Sequence, residues 1–172
     1  SELDRLQTTV QRMLHFYRPN AVSPQPVNVA VLLAHVLTLM GKQLEERRIN
    51  ATRNFSATLP EVSVVPSQIQ QVFINLILNA YDAMPDGGEL TVSARAARNG
   101  VEVLVQDSGP GISEEAEGRI FEPFVSTKTG GTGLGLTVSY NIVTAHGGTL
   151  ELVDLPRSGA CFRVFLPFGG VS

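Results

Sequence analysis

The chain has 172 residues, of which 43% are hydrophobic and 17% charged, a composition typical of one globular domain with a short appendage and unlike that of a disordered protein. Its net charge of −3 gives no indication of a nucleic-acid partner. No apolar run approaches the ~20 residues that cross a bilayer, so we expect no direct membrane contact. The single cysteine, Cys161, excludes an intrachain disulfide. It is predicted to be a buried strand residue, compatible with a cytoplasmic location.

A helix is predicted at the start of the chain. Apolar residues recur at spacings of three and four from Leu3 to Tyr17, which is an a/d pattern over about two heptads. The pattern is compatible with an amphipathic surface helix or with the coiled-coil-like end of a dimerisation helix. We assign residues 1–19 to this helix, which Pro19 ends, and residues 20–26 to a linker.

Residues 27–172 are predicted to form one domain in which helices and strands interleave. In chain order, the patterns predict a strand start at 26–29, a helix at 31–47, strands at 51–55 and 62–65, a helix at 68–84 with Ser67 as N-cap, a hairpin of 90–96 and 101–106 about Asn99-Gly100, a helix at 134–145, and strands at 149–153 and 160–166. This order predicts an α+β fold, a two-layer α/β sandwich with one mixed sheet and helices on a single face.

Three polar side chains share one face of the predicted helix 68–84. Asn75, Asn79 and Asp82 are spaced at i, i+4 and i+7, and the rest of the helix is apolar. Burying an unpaired amide would cost roughly 1–3 kcal/mol, so we expect this face to line a wet groove or a ligand, with an ordinary solvated face as the alternative. Amide oxygens suit Mg²⁺, which prefers hard oxygen ligands.

A carboxylate lies at the end of the predicted strand 101–106. Asp107 is followed by Ser108-Gly109-Pro110-Gly111. A carboxylate at a strand end can accept a hydrogen bond from the exocyclic amine of adenine, and glycines would let the backbone approach the flat base. An ordinary Asp-x-Gly-x-Gly turn is the alternative interpretation.

A glycine-rich segment opens the predicted helix 134–145, with the sequence Gly130-Gly131-Thr132-Gly133-Leu134-Gly135-Leu136. The free N–H groups and the dipole at a helix start attract anions, and Lys128 and the Thr132 hydroxyl add a positive charge and a donor. The polar residues before the segment argue against a dinucleotide fingerprint, and no Walker motif occurs. We therefore predict that this segment holds phosphates.

Five short segments together carry a family resemblance. They are Asn75-x3-Asn79, Asp107-x-Gly109-x-Gly111, Phe121-x-Pro123-Phe124, Gly131-x-Gly133-Leu134-Gly135-Leu136 and Gly147-Gly148. In this order they resemble the N, G1, F, G2 and G3 boxes of the ATP-binding domain of bacterial sensor histidine kinases, in the group that includes gyrase, Hsp90 and MutL. The end of the expected lid looks like that of the nitrogen-regulation and oxygen-sensing subgroup. The resemblance implies the Bergerat fold.

The resemblance also implies a site for ATP and Mg²⁺. It places the metal on Asn79, catalytic roles on Asn75 and Lys128, and an ATP lid between Ser108 and Thr132. The implied nucleotide-binding residues are Asn75, Asn79, Asp82, Asp107, Gly109, Gly111, Ile112, Lys128, Gly131, Thr132, Gly133, Leu134, Gly135 and Leu136. One departure is Ala160, which stands where family members often carry a threonine or serine near the adenine.

The implied reaction transfers the γ-phosphoryl group of ATP to a histidine and then to the receiver domain of a response regulator. No His-Glu/Asp-x3-Pro motif occurs, and His15, His35 and His146 are interpreted as structural or solvated. The sequence begins at Ser1 without methionine, so we expect a piece of a longer, homodimeric protein whose dimerisation domain carries the acceptor histidine. Membrane anchoring of that protein stays open. The alternatives are a non-catalytic ATP-sensing or scaffold domain and an ATPase of the gyrase and MutL group, which would favour a carboxylate at position 75.

Overall fold

The structure is a computed structural model that describes residues 2, 4–8, 23–122, 134–154 and 158–169. Residues 4–8 are helical, in agreement with the predicted N-terminal helix. The rest of that helix lies outside the described residues, so its heptad pairing and the domain boundaries stay predictions.

The described elements interleave as the sequence patterns predict. In chain order they are β1 (Gln25–Val27), α1 (Val29–Glu46), β2 (Ile49–Phe55), β3 (Val62–Val64), α2 (Pro66–Ala83), β4 (Gly88–Ala97), β5 (Gly100–Asp107), α3 (Glu114–Glu117), α4 (Gly135–Ala145), β6 (Thr149–Val153) and β7 (Cys161–Pro167). The one-turn helix α3 was not predicted, and it lies within residues 108–132, which the resemblance implies to be the ATP lid.

The main sheet has five strands in the order β2-β4-β5-β7-β6. β2 runs parallel to β4, and the other neighbours are antiparallel, which confirms the predicted mixed sheet. β1 and β3 form a separate two-stranded antiparallel ribbon. The ribbon begins within the predicted linker, because Gln25 already pairs with Val64.

The two faces of the main sheet differ in polarity. Alternate residues such as Val92, Val103 and Val164 are buried beneath α1, α2 and α4, which pack on the sheet as one layer. The opposite face carries cross-strand ion pairs between Arg95 and Glu102 and between Arg163 and Glu151. The fold is therefore the predicted α+β two-layer sandwich.

Helix α2 begins differently from the prediction. Its N-cap is Val65 and Pro66 is its first residue, so the expected Ser67 cap is wrong. Proline suits this position because its fixed φ is helical and its missing N–H would have no partner there.

The ring of His146 bonds to the backbone at both of its nitrogens. The Val65 N–H donates to Nε2 of His146, 3.1 Å away, and Nδ1 of the same ring lies 2.8 Å from the Ile142 carbonyl oxygen. His146 is buried, as its structural interpretation requires.

The β4–β5 hairpin is present, but its turn is displaced by one residue. Arg98 and Asn99 form the connection, with Asn99 at φ 67°, while Gly100 already pairs with Ala97 as the first residue of β5. A Cβ at Gly100 would lie 2.2 Å from the Leu166 carbonyl oxygen. The glycine is therefore required by strand packing and not by the turn itself.

Cys161 is a buried residue of β7, as predicted. Burial raises the pKa of its thiol, and the negative charge of Asp107 raises it further. The thiol therefore stays protonated at neutral pH, which argues against a nucleophilic role. Among the described residues, no helix is both long enough and apolar enough to span a bilayer.

Candidate nucleotide-binding site

Asp107 ends β5 as a buried carboxylate that the backbone orients. Its Oδ1 accepts hydrogen bonds from the N–H groups of Gly109, at 2.9 Å, and Ala160, at 3.3 Å. The Asp107 N–H in turn donates to the Ala160 carbonyl oxygen at 2.9 Å. These bonds fix the plane of the carboxyl group at the edge of the sheet, and a fixed carboxylate can select a ligand that presents an amine.

Glycines pack tightly around this carboxylate, and we call Asp107, Gly109, Gly111, Gly159 and Ala160 the Asp107 corner. A Cβ at Gly109 would lie 2.7 Å from the Ala83 carbonyl oxygen, and one at Gly159 would lie 2.1 Å from the Asp107 carbonyl oxygen. Gly111 has φ +84°. We expected these glycines to make room for a base. That account is incomplete, because a side chain at Gly109 or Gly159 would collide with the backbone of the protein itself.

The surroundings of the corner are partly apolar. Ile112 is half-buried against the core, and Ala160 contributes its backbone N–H to Asp107 but no side-chain donor. A small hollow borders these two residues; its lining is Ile112, Glu117, Leu152, Val153, Asp154, Gly159 and Ala160.

The polar face of α2 divides into a buried part and a half-buried part. Asn75 is only 3% exposed, so of the two expectations for this face, a wet groove or a ligand, it does not meet the first. Asn79 and Asp82 are half-buried, and Asp82 forms an ion pair of 3.6 Å with Arg5 in the N-terminal helical segment. The roles of Asn79 and Asp82 in binding stay predictions.

Asn75 is buried because other polar groups satisfy its amide. Its Oδ1 accepts from Nε2 of Gln71 at 2.9 Å. Its Nδ2 donates to the Gly135 carbonyl oxygen at 3.1 Å and to Oγ of Ser139 at 3.0 Å. The sequence argument assumed an unpaired amide, and these partners remove the cost on which it depended. We call Gln71, Asn75, Gly135 and Ser139 the helix joint, because it connects α2 to α4.

Helix α4 begins at Gly135, and its N-cap residue Leu134 supplies no capping hydrogen bond from its own side chain. Its first turn contains no acidic residue. Such a start presents backbone N–H groups and the positive end of the helix dipole, which is the arrangement that binds anions. Leu136 is half-buried in the first turn. The predicted phosphate contacts of Lys128, Gly131, Thr132 and Gly133 lie outside the described residues.

Phe121 fixes the chain beyond α3 to the domain. Its ring stacks on Tyr140 of α4 at 5.1 Å between centroids and meets Phe162 edge-on at 6.4 Å. Its carbonyl oxygen accepts from Oγ1 of Thr137 at 2.8 Å. These contacts would suit an anchor for the expected ATP lid, whereas residues 123–132, Phe124 among them, lie outside the described residues.

The donors present fit a magnesium ion bound together with a nucleotide. The described residues contain no group of three or more His, Cys, Asp or Glu side chains that could hold a metal by themselves. An amide oxygen of Asn79 would supply one hard ligand, and Mg²⁺ commonly completes its shell with substrate phosphates and water.

Sequence reasoning did not single out Gln71 or Ser139, which are 4% and 0% exposed. A signal was present for each. Gln71 lies four residues before Asn75 in an otherwise apolar helix, and Ser139 lies four residues after Gly135. Side chains at this spacing share a helix face, but only the packing of α2 on α4 brings the two faces together.

Comparison with known proteins agrees with this geometry. Residues 64–170 match the family model of histidine kinase-, DNA gyrase B-, and HSP90-like ATPases. The chain is 39% identical over 166 residues to the sensor histidine kinase ZraS of Escherichia coli O157:H7, covering 96% of this chain and 36% of ZraS. It is 32% identical over 177 residues to the sensory histidine kinase/phosphatase NtrB of Salmonella typhimurium, in agreement with the predicted subgroup. The chain thus spans about a third of the length of ZraS.

Two solved structures share the fold. Full-length ShkA in complex with AMPPNP superposes with a TM-score of 0.81 and 32% identity, covering 98% of this chain and 37% of ShkA. The histidine kinase ThkA in complex with the response regulator TrrA gives a TM-score of 0.80 and 27% identity, covering 97% of this chain and 48% of the other. The fold is therefore the one found in histidine kinases, as the resemblance predicted.

Proposed function

This chain belongs to the histidine kinase-, DNA gyrase B- and HSP90-like ATPase family, as the ATP-binding catalytic domain of a sensor histidine kinase, and from that premise we propose that it binds ATP with Mg²⁺ and donates the γ-phosphoryl group to a histidine. That histidine would lie on a dimerisation domain, and the phosphoryl group would pass on to a response regulator. The proposed location of the domain is the cytoplasm.

The order of contacts along α2 carries the proposal. Asn75 contacts Gly135 at the start of α4, and Ala83 packs beneath Gly109 of the Asp107 corner. The eight residue steps from Asn75 to Ala83 extend over about 12 Å of helix, and Asn79 lies midway. An extended nucleoside triphosphate would therefore reach from an amine acceptor, past an amide suited to a metal, to the N-terminal end of α4.

Each described side chain has a distinct place in this proposal. Asp107 would accept from the adenine amine, with Ile112 against the base, and Asn79 would be the protein ligand of Mg²⁺. The start of α4, together with Lys128 and Thr132 outside the described residues, would hold the phosphates. Mg²⁺ would neutralise phosphate charge, and catalysis by the protein would consist mainly of positioning and charge stabilisation.

Partners are proposed from the relatives. ThkA was solved with the response regulator TrrA, which supports a receiver domain as the eventual acceptor for the longer protein of which this chain would be a part. A dimerisation domain of the same protein would supply the phosphoacceptor histidine. The chain alone should then bind ATP without phosphorylating itself on histidine.

Calorimetric titration of the chain with AMPPNP and Mg²⁺ tests the proposal. We expect saturable binding at one site, and we expect radiolabelled ATP to leave no acid-labile phosphohistidine on the chain. An absence of binding would favour a scaffold domain. Rapid hydrolysis of ATP by the isolated chain would favour an ATPase of the gyrase and MutL type.

The metal assignment has its own test in Asn79→Ala. Loss of the amide should remove most of the Mg²⁺-dependent gain in AMPPNP affinity, while adenosine affinity should change little, because adenosine has no phosphates to share with the metal. Asn54→Ala, on the exposed edge strand β2, is the matched control. If both ligands lost affinity equally, Asn79 would not be the metal ligand.

A further inference from the structure

The helix joint is a buried polar connection between α2 and α4. Gln71, Asn75 and Ser139 are each at most 4% exposed. Their hydrogen bonds run in series from Gln71 through the Asn75 amide to Gly135 and Ser139 in the first two turns of α4. Buried polar groups are retained at a desolvation cost, and a satisfied network of this kind specifies one arrangement of its elements.

The chemistry of the joint fixes which way the Asn75 amide points. The Gly135 carbonyl oxygen can only accept, so Nδ2 of Asn75 must face it. Oδ1 then faces Gln71 and needs a donor there, which Nε2 of Gln71 supplies. Position 71 therefore requires a side chain with a donor. A glutamate would place an acceptor against an acceptor, and an apolar residue would leave Oδ1 of Asn75 without this bond.

We propose that Gln71 and Ser139 are positioning residues for phosphoryl transfer, acting through Asn75 to fix the start of α4 relative to Asn79. This inference rests on the proposed function. It also gives Asn75 a positioning role in place of the catalytic one predicted from its box, since its amide is buried and engaged at both ends.

The consequence is a rigid connection between metal and phosphates. Asn79 follows Asn75 by about one turn, or about 6 Å along α2, and Gly135 is the first residue of α4. The joint thus sets the separation between the proposed Mg²⁺ ligand and the N–H groups proposed to hold phosphate. The Asp107 corner is fixed independently by two hydrogen bonds between Asp107 and the backbone of Ala160, the residue before β7.

Gln71→Met and Ser139→Ala test the proposal, because each removes one hydrogen-bonding group from the joint at nearly constant volume. We expect each to lower the affinity for AMPPNP with Mg²⁺ by about tenfold, the usual scale of a lost buried hydrogen bond. Adenosine affinity, followed by NMR titration, should change by less than about twofold, because the Asp107 corner is untouched.

Gln70→Met is the matched control, since Gln70 is the neighbouring residue on α2 and is half-buried outside the joint; both affinities should stay unchanged. In an Asn75→Ala background, Gln71→Met should cause no further loss of AMPPNP affinity, because the effects of residues that act through one group do not add. A full additional tenfold loss there would overturn the proposal.

A purely structural role gives a different result. It would lower the unfolding temperature and weaken both ligands in parallel, and parallel losses would overturn the proposal. Unchanged AMPPNP affinity in Ser139→Ala, which removes a single hydroxyl, would also overturn it. If the unaltered chain failed to bind AMPPNP, the proposed function itself would fail. If the unaltered chain bound AMPPNP and the variants lost AMPPNP and adenosine affinity equally, only the inference would be refuted.

Discussion

The two ends of the candidate site are built in different ways. The Asp107 corner is held by backbone groups at the end of β5 and just before β7, which are neighbouring strands of one sheet, and by glycines with no room for a Cβ. The helix joint is held by side chains from α2 and α4, far apart in sequence. One end is thus part of the sheet itself, and the other is a contact between two packed elements.

This difference predicts different responses to change. A corner made of backbone contacts cannot yield locally, so a disturbance there should cost much and should affect folding and base recognition together. A joint made of separate side-chain hydrogen bonds should lose them one at a time, at about 1 kcal/mol each. It should also affect the phosphate end without the adenine end.

Gly159→Ala should have the largest effect, because it forces a Cβ into the Asp107 corner. The new atom would lie 2.1 Å from the Asp107 carbonyl oxygen, at a φ of +122°. Backbone strain and overpacking together should cost about 3 kcal/mol of unfolding free energy, with a loss of ATP affinity as Asp107 shifts. Urea unfolding and calorimetry measure the two effects.

The control for that substitution is Gly118→Ala, where φ is −75° and no atom lies within 4 Å of the added Cβ. We expect a change within about 0.5 kcal/mol there. Equal effects at the two glycines would mean that the corner yields locally and that the comparison is wrong.

Asp107→Asn should have the next largest effect, and it should separate binding from folding. The amide oxygen can keep the hydrogen bonds from Gly109 and Ala160, which forces the NH₂ group into the place of the second carboxylate oxygen. There a donor would face the adenine amine, at a cost of about 2 kcal/mol or roughly 30-fold in ATP affinity. Calorimetry measures the loss.

Asp86→Asn, at an exposed turn residue, is the control for Asp107→Asn and should leave ATP affinity unchanged. If Asp107→Asn bound ATP as tightly as the unaltered chain, Asp107 would not contact the base.

The same contrast explains what the sequence could predict. Part of the corner was predictable because Asp107, Gly109 and Gly111 stand within five consecutive residues, at the end of a strand whose apolar and polar residues alternate. Ala160 and Gly159 complete it because β7 pairs with β5, a contact that strand periodicity alone does not specify. The general order of elements followed from local patterns, and the errors at Ser67 and Gly100 are local choices that tertiary packing decided.

The helix joint was not predictable in the same way. The spacing of Asn75 and Asn79 indicated a shared polar face, but nothing local shows that Gln71 and Ser139 would satisfy the first amide and draw it into the core. Such a partner is visible only once α2 and α4 are packed together, because Asn75 and Ser139 are 64 residues apart in the sequence. A polar stripe on an apolar helix therefore predicts a polar partner, and whether that partner is protein or ligand is decided by the fold.

Thr137→Val should have the smallest effect, and it probes a second side-chain contact of α4. The substitution preserves shape and removes the hydroxyl that donates to the Phe121 carbonyl oxygen at 2.8 Å. The expected cost is about 1 kcal/mol of unfolding free energy, since the stacked Phe121 and Tyr140 rings still hold this part of the chain. Urea unfolding measures it, with Thr144→Val, at an exposed position of the same helix, as the control.

If the contacts of α4 act separately, Thr137→Val should leave adenosine affinity unchanged, because the hydrogen bond from Thr137 to Phe121 does not include a residue of the Asp107 corner. A loss of adenosine binding from this one hydroxyl would show that α4 and the sheet edge move together. The two ends of the site would then respond to substitution as one cooperative unit, although backbone contacts hold one end and side-chain hydrogen bonds hold the other.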